Sequence, residues 1–171
     1  MDGRFLRILA REQATGFDDL RGARASLTLP VSERLLNEIV AETLPPTTPV
    51  RDLYVKPMAG DRFAVRLRLG SSGALPALTV AASIDRQPAL PDLPVLVLKL
   101  EASGLLSLGL PALRFVAMPP GVRIEHDRVH VDIRQVLQSR GLADYFGYVR
   151  LLEVHTIEGA VILSLQASIE D

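Results

Sequence analysis

The chain has 171 residues, 48% of them hydrophobic, with 19 basic against 20 acidic residues and no cysteine. That length accommodates one domain with a sizeable core, and the missing cysteines exclude disulfides, thiolate metal centres and a cysteine nucleophile. Near-neutral charge and few aromatics (5%, no Trp) exclude both the basic footprint and the stacking platforms of a nucleic-acid binder.

The chain opens with "MDGRFLRILAREQ", in which Phe5, Leu6, Ile8 and Leu9 alternate with Arg4, Arg7 and Arg11 as in a short amphipathic helix. Residues 1–22 are therefore assigned to an N-terminal arm and 23–171 to a single α+β domain. The arm either docks on the domain or makes peripheral membrane contact through residues 4–11. Arg7 and Arg11 interrupt its apolar stretch, so it does not read as a secretory signal. No window approaches the roughly 18 apolar residues of a membrane span. A cytoplasmic location is expected; an envelope location would follow if a leader had been removed.

"RASLTL" alternates as a strand, with Ala25, Leu27 and Leu29 on one face. "PVSERLLNEIVAETLPP" predicts the clearest helix. Ser32 caps it, Glu33 suits its positive first turn, and Pro45 and Pro46 stop it. Its apolar stripe is Leu35, Leu36, Ile39, Val40 and Leu44. "VRDLYVKP" follows as a strand, then a turn at Gly60–Asp61 and "RFAVRLRLG", which places Phe63, Val65, Leu67 and Leu69 on one side.

The middle of the chain is greasier. "ALPALTVAASI" and "LPVLVLKLEA" read as strands with small or apolar residues on both faces. Leu96, Leu98 and Leu100 share one face, and Val95, Val97, Lys99 and Glu101 the other. Such a strand is buried on both sides or has one face lining an apolar cavity. "GLLSLGLPALRFVAMPPG" continues the apolar character, broken by glycine and proline.

"IEHDRVHVDI" gathers two histidines and three carboxylates in ten residues and looks at first like a metal or acid–base site. A two-residue turn at His126–Asp127 resolves it. That turn sets Glu125 opposite Arg128, Ile124 opposite Val129, Arg123 opposite His130 and Val122 opposite Val131. Apolar residues then fill one face and charges the other, a pattern that fixes the register. Arg123 and Arg128 stand where a cation would bind, which disfavours a metal site. A hydrolase or metalloenzyme using His126, His130 and Asp132 is therefore set aside. Asp132 instead caps a helix over "DIRQVLQSRGL" that ends at Gly141. Two long strands joined at Glu158–Gly159 close the chain. There is no Gly-x-Ser-x-Gly elbow and no phosphate loop, so no catalytic residue, metal ligand or cofactor is assigned.

The expected class is α+β: a strongly curved antiparallel sheet of about seven to nine strands wrapped around one long and one or two short helices. Three stretches carry a family resemblance: "LPVSERLLNEIVAETL", "PPGVRIEHDRVHVDIRQVLQSRGL" and "YVRLLEVHTIEGAVILSLQASI". In that order they resemble small bacterial lipid-binding domains of the tubular lipid-binding superfamily. The resemblance implies acyl chains held in an apolar channel between sheet and helix, with no catalytic residues. The ligand-lining set expected here is Leu35, Leu36, Ile39, Val40, Leu67, Leu96, Leu98, Leu100, Ile124, Val129 and Val131. The partner would be a lipid or other hydrophobic small molecule. The same apolar surplus equally suits a thick core or a homodimer interface.

Overall fold

In the computed structural model, residues 11–12, 14–43, 50–69, 78–101 and 118–169 are described. Within them the alternating stretches become strands and every strand pairing is antiparallel, giving an α+β fold that is mostly sheet. Residues 4–10 of the expected N-terminal helix and the apolar stretch at 102–117 lie outside the described residues.

The strands divide between two sheets. β1 (Arg24–Ser32), β8 (Val149–Ile157) and β9 (Ala160–Ser168) form a three-stranded sheet in the order β1-β9-β8. β2 (Val50–Met58), β3 (Arg62–Leu69), β4 (Leu78–Arg86), β5 (Val95–Glu101), β6 (Val122–Glu125) and β7 (Arg128–Asp132) form a second sheet in the order β2-β3-β4-β5-β7-β6. One continuous wrapped sheet was the expectation. The closing hairpin instead pairs with β1, register running from Arg24↔Ser168 to Ser32↔Ala160. The physical reason lies at the edges of the larger sheet, which end in a strand capped by a side chain and in a short charged strand.

The long helix α1 (Glu33–Thr43) starts as the sequence requires, with the Leu35 N–H donating to Ser32 Oγ at 3.3 Å. It lies against β2, β1 and β9. The sheets do not enclose it: none of its residues is fully buried, and Leu35 and Ile39 are exposed. Its contact with the core comes through Leu36.

The β6–β7 hairpin has the predicted register, Val122↔Val131 through Glu125↔Arg128, with His126 at a φ of 56° in the turn. The Asp132 carboxylate then accepts the Gln135 N–H at 3.0 Å, capping α2 (Ile133–Ser139). A short α3 (Ala143–Phe146) follows, burying Phe146 under the Arg134 guanidinium.

Strand parity determines what meets between the sheets. Val31, Val154 and Val161 of the small sheet bury against Phe63, Ala82 and Leu96 of the large one. A satellite cluster of Leu67 and Val80, flanked by Leu53 and Leu100, extends the large sheet's apolar face. Val97, on the opposite face of β5 from Leu96, is also buried, as a strand apolar on both faces demands.

Candidate functional site

The candidate site is an apolar surface that begins in the core and runs out of it. On β1, Ala25, Leu27 and Leu29 share the face of Val31, which packs against the large sheet, and stand opposite Ala167, Leu165, Leu163 and Val161 on β9. Leu152, Val154 and Thr156 of β8 continue these rows. Exposure climbs along β1, from 6% at Val31 to 46% at Leu29 and 53% at Leu27. One uniform apolar face is thus closed at the end near the β8–β9 turn and open at the other. Large aliphatic side chains left in water are unfavourable by about 1.5–3 kcal/mol each relative to full burial.

The opposing wall is the apolar face of the large sheet. Registers place Val55, Val65, Val80, Ala82, Leu98, Leu100, Val129 and Ile124 on the same side. Of the residues expected to line a site, Leu36, Leu96, Leu98, Leu100 and Val131 meet at the main core, and Leu67 lies in the satellite cluster with Leu100 beside it. Ile124 and Val129 pair across the hairpin and are half-buried. On α1, Val40 is half-buried, whereas Leu35 and Ile39 point to solvent. Sequence reasoning left out the small sheet's contribution, Leu27, Leu29, Leu163 and Leu165. Their alternation was visible, but which sheet they would face was not.

Polar groups fasten this arrangement. Thr156 lies at the junction: its N–H donates to Asp61 Oδ1 at 2.9 Å and its hydroxyl donates to the Met58 carbonyl at 2.5 Å. The hydroxyl also accepts the Arg62 N–H at 2.9 Å. Asp61 additionally faces the His155 ring at 3.2 Å. The Thr156 N–H first, and His155 after it, hold the Asp61 carboxyl below the usual carboxylate range, against the opposing effect of desolvation. The Gln87 side-chain amide clasps Val154 at both its N–H (3.0 Å) and its carbonyl (2.6 Å). The Asn37 amide does the same to Val55, at 2.7 and 2.8 Å.

The histidine–aspartate string behaves as a register device, with changed partners. Arg128 reaches Asp85 at 2.9 Å instead of closing on Glu125, and Glu125 forms an ion pair with Arg123 at 3.2 Å. The Arg128 guanidinium holds the Asp85 carboxyl below its ordinary range. His130, expected on a solvated face, is mostly buried with Nε2 at 3.6 Å from Glu125. Among the described residues no group of three His, Cys, Asp or Glu side chains is arranged to hold a metal ion. No helix among them is long and apolar enough to cross a membrane.

A small polar cleft lies between the N-terminal turn and the start of β8, with Arg21 and Arg150 in its wall. Arg21 is paired with Asp18 at 2.7 Å, and Arg150 donates to Ser168 Oγ and to the Gly147 carbonyl, both at 2.9 Å. Both arginines therefore brace the chain end. Comparison of the chain with protein-family models, curated proteins and solved structures finds no match.

Proposed function

We propose that this protein is a non-enzymatic binding module for a hydrophobic ligand, a lipid or acyl chain, held against the apolar faces of its two sheets. The observation that carries the reading is the β1 row. Residues of one face pass from buried Val31 to exposed Leu29 and Leu27 without any change in chemistry. An acyl chain laid along this face would cover the leucines that packing within the chain leaves exposed. The resemblance of the three sequence stretches to tubular lipid-binding domains supports the same reading. The ligand would contact Leu27 and Leu29 on one side and Leu98 and Leu100 on the other. A contact through residues 4–11 would bring the module to a membrane surface.

The test is organic extraction of the purified protein followed by mass spectrometry, together with uptake of a fluorescent fatty acid. Bound lipid and saturable uptake are the expected results. A clean apo mass with no uptake would overturn the reading. Leu29→Gln should weaken uptake about tenfold, the equivalent of losing one leucine's burial.

A further inference from the structure

Two sheets have four outer edges, and three are blocked against pairing with another strand. The Asn37 amide occupies β2 at Val55. Gln87 and Asp61 occupy β8 at Val154 and Thr156. β6 is only four residues long and carries Arg123 and Glu125. These are the usual ways of protecting an edge. Of such devices β1 carries only Arg24 at one end and Pro30 near the other, which leaves residues 25–29 unprotected. It is nine residues long, exposed everywhere but Val31, and among the described residues no strand pairs with its outer edge.

The direction of its free groups follows from the ladder. The Ile169 N–H donates to the Ala23 carbonyl, so the odd-numbered residues of this stretch face β9 and the even-numbered ones face outward. Arg24, Ser26 and Thr28 therefore present their N–H and carbonyl groups to the open edge. Pro30 has the same parity, so the donor it lacks is one the β9 ladder does not need.

We propose that β1 is a homodimerisation edge, pairing antiparallel with β1 of a second copy about a two-fold axis at Leu27. In this register Ser26 opposes the partner's Thr28, and Arg24 opposes the partner's Pro30, giving about six main-chain hydrogen bonds. Pro30 sits at the margin and withholds a single donor there; a two-fold axis at Thr28 would carry it inward, opposite Ser26. Arg24 is the one charged residue of β1, and its two copies lie about 20 Å apart, so no like charges meet. On the inner face Leu27 meets the partner's Leu27 and Leu29 meets the partner's Ala25. Both exposed leucines thereby gain cover. The small sheets fuse into one of six strands, and the open apolar face becomes continuous across the two copies. The chemistry selects a second copy because the strand is self-complementary under a two-fold axis and nearly uncharged, which leaves nothing for a charged partner to read.

The wild-type chain contains no cysteine, so single cysteines report the register directly. In the proposed dimer residue 27 faces itself across a non-hydrogen-bonded pair about 4.5 Å apart, within disulfide reach, whereas residue 29 lies about 13 Å from its copy. Mild oxidation should convert Leu27→Cys to a covalent dimer and leave Leu29→Cys monomeric. Light scattering of the wild-type chain should show a dimer that grows with concentration, and Thr28→Pro, which removes an outward donor, should abolish it with an unchanged circular dichroism spectrum. A strict monomer at about 1 mM protein, or equal cross-linking at positions 27 and 29, would overturn the proposal. Fatty-acid uptake by a strictly monomeric protein would overturn the dimer while sustaining the binding reading.

Discussion

At the scale of single residues, Asp61 has the most to do. It occupies the β2–β3 turn at a φ of 58° and holds β8 through the Thr156 N–H and the His155 ring. Its carboxyl titrates below the ordinary value of 3.8 in the folded state. The stability it contributes is therefore fully present above that ordinary value and is lost as the pH falls through the lower folded one. Melting temperature should fall as the pH drops below about 4, and Asp61→Asn, which keeps the acceptor but removes the charge, should flatten that slope. An unchanged slope in the variant would place the acid sensitivity elsewhere, at Asp85 first. Gly121 is constrained differently. Its φ is 84°, and a Cβ there would stand 2.9 Å from the Asp132 carbonyl oxygen and 3.0 Å from Val136 Cγ2. Gly121→Ala should cost about 2 kcal/mol or more in denaturant unfolding, since the strained backbone and a contact with main chain act together. The string around His126 shows how little of such contacts sequence reveals: parity gave the pairs across the ladder, but Arg128 chose Asp85 on β4, a neighbour that appears only once the sheet is assembled.

Individual elements were legible where a local signal exists. Ser32 caps α1 and Asp132 caps α2, each identifiable from a short polar side chain placed before an apolar period. The hairpin register of β6–β7 followed from sorting apolar and charged residues by parity alone. What no local pattern encodes is the use of Asn37 and Gln87. One sits on a helix and the other just past a strand, and each amide satisfies a backbone donor and acceptor on a distant strand. Gln87→Ala should therefore cost about 1–3 kcal/mol, the desolvation of two half-buried backbone groups left without partners, measurable by chemical denaturation. Gln87→Glu keeps the acceptor and loses the donor, and should recover part of that loss.

At the scale of the whole molecule, the two sheets are held together chiefly by Phe63, Ala82 and Leu96 against Val31, Val154 and Val161. Phe63→Ala should destabilise the protein by about 3–5 kcal/mol, a loss of burial plus a cavity. The binding proposal separates from this core in a paired experiment. Val31→Ala should lower the melting temperature, whereas Leu29→Gln, two positions along the same face but nearly half exposed, should change ligand uptake with little effect on stability. Composition and periodicity by themselves determined the α+β class, the antiparallel sense and the placement of most elements. Those features follow from local rules: strand parity, helix period, caps and turns. The division into two sheets, the exposed position of Leu35 and Ile39 on α1, and the choice of β9 as the partner of β1 were decided only by tertiary structure. An apolar face records that it must be covered, and only the assembled fold determines which other face covers it and where that cover ends.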